Sequence, residues 1–281
     1  MTLLSRRQVI LGTTTVLVHS VATLSDGPSY AQITQIHPNP STLLAGDLLW
    51  VRPPSTCVLY HRVASASDAV ARWSNAVNNL AVRAKNRNDH FLEAAAQSLS
   101  TMTEDQFNYL YLENRPLNTG VRYSGNGLSI GHVAIVGSTS DGLYVIEATT
   151  PDSSTTIDIL EQCFENGVKK TPYSSWIAAH GTDLVWHGRP YPSMSDDKRS
   201  QIPIEALKYL GRPYCFDALN MTDISGFYCS KLVWLCIRDA LGRYVDDNPD
   251  PRRKFWLSPK QILESKNVYV QFNPGHYGCF P

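Results

Sequence analysis

An α+β domain with an antiparallel sheet, carrying a block of helices between its first and second strands, is the fold class this sequence predicts. Three observations carry the prediction. Short runs of alternating or wholly apolar residues bounded by Gly, Pro, Ser and Asp mark strands near residues 47–51, 132–136, 143–148, 183–190 and 268–272. Between about 66 and 115 the apolar spacing switches to three and four, the helical period. A single strongly apolar helix follows Tyr228, placed so that a sheet could pack against it.

Taken in order, the chain opens on "SRRQVILGTTTVLVHSVATLSDGPSYAQ". Paired arginines, an apolar run broken by threonines and the small-residue ending Ser29-Tyr30-Ala31 are the three parts of an export signal. Cleavage is expected before Gln32, so residues 1–31 read as leader and 32–281 as one domain. The run from Val9 to Leu24 contains His19 and several hydroxyls, too short and too polar to span a bilayer. Ser5-Arg6-Arg7 resembles a twin-arginine signal, although paired arginines also occur in general secretory leaders. The expectation is a bacterial protein that is exported, periplasmic or secreted, with no integral membrane span once the leader is removed.

Ala45-Gly46 forms a turn into a core strand Asp47–Val51 that Pro53 stops. Val70, Trp73, Val77, Leu80, Ala81 and Ala84 fall on one helical stripe. A second helix covers Phe91–Leu99, and a third opens at Thr103, where Gln106 stands at capping-box spacing. The block of about 66–115 reads as an insertion or subdomain. Next comes a hairpin, His132–Val136 and Leu143–Ala148, around a Gly/Ser/Asp turn. A strand is expected at "DLVWHGRP" and a helix at "PIEALKYLG", ending at Gly211 before Pro213. After the Tyr228 helix, Ser258-Pro259 opens a helical turn, and Val268–Phe272 closes the chain's strands.

Composition excludes some partners. Lys plus Arg and Asp plus Glu each number 25, for a net charge of zero, so there is no basic field for nucleic acid. Any partner must be recognised by a local site. The six cysteines include no C-x-x-C pair, so no zinc knuckle is indicated and no metal or organic cofactor is expected. Cys57, Cys163 and Cys279 stand alone as surface thiols or disulfide halves, and the redox pattern is open. His276-x-x-Cys279 has the look of half a metal site, but Gly275 and Gly278 beside it suggest ordered or frayed coil.

The chemistry concentrates in "GFYCSKLVWLCIRDAL", residues 226–241. Cys229, Leu232, Val233, Cys236, Ile237, Ala240 and Leu241 make one core-facing stripe, with Lys231 and Arg238 on the opposite face. Position along the axis separates the two cysteines. Cys229 lies in the first turn, where unpaired N–H groups and the positive end of the helix dipole favour a thiolate. Cys236 lies two turns deeper among apolar neighbours, where a charged sulfur is costly.

The hairpin supplies a partner. With its turn centred on Thr139 and Ser140, His132 lies directly opposite Glu147 on the same face, and a carboxylate there could orient the imidazole. A one-residue slip would send Glu147 to the other face. Cysteine at a helix start, histidine at a strand start and a polar orienter are the parts of a Cys-His-acid nucleophilic site.

"GDLLWVRP", "GHVAIV", "VIEAT", "GRPYCF", "FYCSKLVW" and "LSPKQIL", in this order, resemble the permuted papain-like amidase family of the YaeF/YiiX type, a branch of the NlpC superfamily. In that branch the histidine strand precedes the cysteine helix. The resemblance covers about residues 44–272 apart from the helical insertion. It implies a circularly permuted papain-like fold, with an antiparallel sheet packed on a central cysteine-bearing helix. It makes Cys229 the nucleophile, His132 the base and then acid, and Glu147 the orienter, with Tyr228, Tyr214 and Ser230 lining the substrate cleft. Cys215 departs from the pattern, since family members commonly carry an acidic residue after the tyrosine. The implied function is an exported cysteine hydrolase of amide bonds, its substrate a peptide or peptidoglycan fragment. A lipid acyltransferase or thioesterase using the same dyad is the enzymatic alternative, and a binding module without turnover the other.

Overall fold

The computed structural model describes residues 35–52, 66–104, 106–107, 131–151, 156–191, 194–246, 248–252 and 255–277. The expected leader, Cys57, Cys279 and most of the third helix expected in the insertion lie outside them.

Six strands form one antiparallel sheet: β1 (Leu48–Arg52), β2 (His132–Thr139), β3 (Gly142–Ala148), β5 (Val168–Pro172), β6 (Leu184–Pro190) and β8 (Val268–Phe272), in the order β5-β3-β2-β1-β6-β8. A two-stranded ribbon pairs β4 (Cys163–Phe164) with β7 (Tyr214–Cys215). The helices are α1 (Ala66–Asn86), α2 (His90–Leu99), α3 (Thr156–Glu161), α4 (Tyr173–Ala179), α5 (Asp196–Leu207), α6 (Cys229–Leu241) and α7 (Pro259–Leu263).

Alternation along the central strands builds two cores. Leu48, Trp50, Val133, Ile135 and Ile146 face α6 and the helical block, whereas Leu49, Val51, Ala134, Val136 and Val145 face Tyr173 and Trp176 of α4. A strand buried on both faces loses its polar alternation, which is why the run before Pro53 reads as continuously apolar.

The helical block shares the larger core. Trp73, Val77, Leu80, Leu92 and Leu99 join it, and Phe107 packs between Trp73 and Trp256, tilted against the first and edge-on to the second, at centroid distances of 5.5 Å to each. Arg83 and Arg87 of α1 reach Asp217, a carboxylate 5% exposed, at 3.3 and 2.9 Å. The expected stripe on α1 holds from Trp73 to Ala84, but Val70 is 61% exposed. It lies in the first turns, before the helix meets the core. At Thr103 the capping box forms in both directions: the Thr103 N–H donates to Gln106 at 2.9 Å, and the Gln106 N–H to the Thr103 hydroxyl at 3.2 Å. Ser258 and Gln261 make the same reciprocal pair at the start of α7, with Pro259 in the first turn.

Two expectations are corrected. The helix expected from Pro203 begins at Asp196, where Asp196 and Asp197 occupy a first turn that favours negative charge. Pro203 therefore sits inside it and withholds a donor from the Arg199 carbonyl. That carbonyl lies against Gly46, where a β-carbon would come within 2.2 Å of its oxygen and where φ is +85°, so the turn before β1 requires glycine. The hairpin turn is centred on Ser140 and Asp141, since Thr139 pairs with Gly142. The register thus differs from expectation by two residues, an even shift that keeps every side chain on its predicted face.

Candidate active site

α6 carries the thiol. Its first residue is Cys229, and Gly242 ends it in the left-handed conformation. The residues from Cys229 to Ile237 are all buried, Lys231 included. Lys231, expected on a polar face, is therefore core, whereas Arg238 is partly exposed, and among the described residues the Lys231 Nζ has no hydrogen-bond partner. Burial lowers the Lys231 ammonium to about 8, against the opposing pull of Asp223 and Asp217.

β2 and β3 carry the imidazole and the carboxylate. Their pairing runs from Thr139↔Gly142 to Ile135↔Ile146. Continuing that register makes His132 and Glu147 diagonal rather than direct neighbours, a separation long side chains can bridge. The His132 Nε2 lies 2.6 Å from Glu147 Oε2. The Trp176 indole N–H of α4 donates to the same oxygen at 2.9 Å. His180, with its ring centroid 4.6 Å from that of Trp176, adds a favourable charge. Burial would raise the Glu147 carboxyl, but the His132 and Trp176 hydrogen bonds and the nearby histidine charges hold it below the usual carboxylate range.

The thiol and the imidazole meet at the end of the sheet. By alternation His132 belongs to the face covered by Trp176, while α6 covers the other, so the site straddles the start of β2. Cys229 is 3% exposed, and its sulfur lies within interaction range of the His132 ring and the Val133 backbone N–H. With Nε2 engaged by Glu147, Nδ1 is the ring nitrogen left for sulfur. Burial alone would push the thiol up, but the imidazole, the Val133 amide and Ser230 bring it below the ordinary cysteine value. Burial likewise opposes the imidazolium, but its bonds to Cys229 and Glu147 and their charges raise His132 to about 10. Both shifts favour thiolate and imidazolium over the neutral pair. Cys236 is also a free thiol, but burial pushes it well above the ordinary value.

The three residues assigned to the cleft are placed differently. Tyr228 is 1% exposed; its hydroxyl donates to Met221 Sδ and accepts from the Leu257 N–H, each at 3.3 Å. Ser230 is buried and donates to the Leu257 carbonyl. Both point into the core and fasten the start of α6 to the segment before α7. Tyr214 is buried too, and burial first, then the neighbouring Cys229 and Tyr228, raise its phenol well above the ordinary value.

Cys215 is bonded to Cys163 across the β4/β7 ribbon, which leaves Cys229 free. Cys163, Cys215 and Asp217 bring three potential ligand atoms within 4.8 Å of one another, but the two sulfurs are joined and Asp217 carries Arg83 and Arg87. A Cys215–Cys229 bridge or a thiol remote from His132 would have favoured a binding module; the geometry has neither.

Two contributors have no signal in the sequence pattern, Trp176 and Tyr277. The Tyr277 hydroxyl accepts from the His132 backbone N–H at 3.0 Å and lies 3.3 Å from its carbonyl. Nothing in the spacing of "SSWIAAH" or of the C-terminal segment ties either ring to the hairpin.

The comparisons with known proteins fall on these residues. The family described as permuted papain-like amidase enzyme, YaeF/YiiX, C92 family, matches residues 126–268, the stretch holding His132, Glu147 and Cys229. The uncharacterized protein YiiX of Escherichia coli strain K12 is 32% identical over 95 residues, 34% of this chain and 46% of that protein; the match thus spans about half of the relative's length. A crystal structure titled metalloprotein yiiX from Escherichia coli O157:H7 aligns with TM-score 0.41 and 17% identity, covering 81% of this chain and 95% of that one. With the family match extending over half of its length, this chain belongs to the permuted papain-like amidases of the YaeF/YiiX type.

Proposed function

We propose that the protein is a cysteine hydrolase of amide bonds that works through Cys229, His132 and Glu147. The observation that carries the reading is that His132 and Trp176 both bond Glu147, at 2.6 and 2.9 Å, while the Cys229 sulfur lies beside the same imidazole, with the thiol lowered and the imidazole raised to about 10. Family membership supports the same reaction class.

The Cys229 thiolate attacks the amide carbonyl, and the oxyanion forms against N–H groups at the start of α6. The tetrahedral adduct collapses as the C–N bond breaks, and His132 gives its proton to the departing amine. A water molecule then attacks the thioester, His132 takes a proton from it, and the C–S bond breaks to release the carboxylic acid and restore the thiolate. Glu147 holds the ring's orientation and its positive charge, and Trp176 fixes Glu147.

The leader at residues 1–31 supports export and action in the periplasm or outside the cell. No helix among the described residues is long and apolar enough to cross a membrane. An exported amidase meets the peptides of the cell wall, and peptidoglycan stem peptides are the substrates to try first. The test is a screen of stem peptides, simple peptide amides and acyl esters against the wild type and Cys229→Ala. The reading expects amide cleavage that Cys229→Ala abolishes; faster turnover of long-chain esters than of any amide would assign the site to lipid acyl chemistry instead.

A further inference from the structure

We propose that Tyr277 is a positioning residue for His132, delivered by a C-terminal strap of residues 273–277 that Trp186 fastens to the sheet; the proposal rests on reading Cys229 and His132 as the reacting pair. His132 is the first residue of β2, so the strand constrains its backbone from one side only. Its ring must nevertheless satisfy Glu147 and Cys229 at once, and small errors in such geometry are expensive. The Tyr277 hydroxyl brackets the His132 peptide units, taking the N–H at 3.0 Å and reaching the carbonyl at 3.3 Å.

The clamp has a built seat. Gly131 adopts φ +64°, and a β-carbon there would lie 2.4 Å from the Tyr277 hydroxyl oxygen; the glycine both makes the turn into β2 and leaves room for the phenol. The strap is held at its other end by β6. The Trp186 indole N–H donates to Asn273 Oδ1 and the Gly275 carbonyl, both at 3.0 Å. The Trp186 ring meets the Tyr277 ring edge to face, with centroids 4.8 Å apart. Tyr277 is buried. A segment whose sequence suggests ordered or frayed coil is, over 273–277, an anchored arm. It lies beyond the stretch matched by the family model, residues 126–268.

The clamp acts through histidine, so its removal should be read in the ionisation of the thiol rather than in stability alone. The full-length protein is treated with iodoacetamide across a pH series, and the rate of Cys229 modification is mapped by mass spectrometry. In Tyr277→Phe, which keeps the ring and loses both hydrogen bonds, the rate at about pH 5 should fall about tenfold relative to wild type. The rate at about pH 10, where an ordinary thiol is also ionised, should be unchanged. Gly131→Ala should give the same signature through displacement of the phenol, and the double variant should be no worse than the more affected single one, because both act on one contact. Should Tyr277→Phe not fold, Trp186→Phe frees the strap while keeping an aromatic ring, and the same acid-side loss is expected. An acid-side rate equal to wild type in a folded variant overturns the clamp, as does an equal loss at every pH. If wild-type Cys229 itself shows the pH dependence of an ordinary thiol, the reading of the Cys229 and His132 pair fails instead.

Discussion

Cys229 and Cys236 share a helix, a stripe and near-complete burial, yet their sulfurs are pushed in opposite directions. Burial acts on both; Cys229 alone has an imidazole and a backbone N–H to oppose it. Cys229→Ala should therefore abolish hydrolysis and labelling by a thiol-reactive probe. Cys236→Ala should keep both and lower the melting temperature, as expected of a smaller side chain at a wholly buried site; equal loss of labelling in two folded variants would refute the assignment. His132→Ala should lower turnover by about 10²–10⁴-fold, the usual contribution of a general acid and base, and Glu147→Gln by less, since the amide still fills the space beside the ring. An unchanged rate in Glu147→Gln would mean that another group orients His132. Cys229, His132 and Glu147 were legible in the sequence because helix position and strand alternation decide where each can point. Tyr228 and Ser230 were not, because adjacency in sequence does not tell which way a side chain at a helix start turns, and both turn toward Leu257. Trp176 and Tyr277 reach the hairpin from elements distant in sequence, which local periodicity does not register.

Among the elements, the β4/β7 ribbon helps to seat the start of α6. It bonds Cys215 to Cys163, and the Cys215 N–H donates to the Phe227 carbonyl at 2.9 Å, two residues before Cys229. Gly226 passes so close that a β-carbon would lie 2.7 Å from the Cys215 sulfur. Cys163→Ser should cost about 2–4 kcal/mol, the usual worth of a disulfide, measured by denaturant unfolding of the oxidised wild type and the variant. A midpoint unchanged by the substitution would contradict the bridge. Neither β4 nor β7 could be read from the sequence, for two-residue strands carry no period. α3 and α4, of six and seven residues, are nearly as short. The long helices α1 and α6 were readable by their stripes, and the five-residue α7 by Ser258-Pro259 at its start. The start of α5 was misread because Pro203 marks a helix start in sequence but sits inside the helix here.

At the scale of the whole molecule, β1, β6 and α5 are tied by one buried carboxylate. Asp47 is fully buried and accepts from His187 at 2.7 Å, from Arg189 at 2.8 and 2.9 Å and from the Leu44 N–H at 2.9 Å, with the buried Arg199 Nε at 3.7 Å. Burial would raise its pKa, but Arg189, then His187 and the Leu44 amide, hold it below the ordinary value of 3.8. A carboxylate depressed in the folded state stabilises fully above its unfolded value and loses that contribution as pH falls through the folded one. Asp47→Asn should thus destabilise at neutral pH by about 3–5 kcal/mol, since it removes the charged partner of the largely buried Asp47–Arg189 pair, and should flatten the acid side of the stability profile. Thermal unfolding across pH checks both, and an acid limb as steep in Asp47→Asn as in wild type would assign the acid sensitivity elsewhere. The sheet so fixed presents His132 at the start of β2 to the start of α6, and the proposed chemistry depends on that meeting. Its most direct test is to quench turnover of a peptide amide with acid and map the acyl adduct by mass spectrometry. The account predicts a thioester on Cys229 that His132→Ala and Cys229→Ala both eliminate; an adduct on any other residue, or amide turnover retained by folded Cys229→Ala, would contradict it.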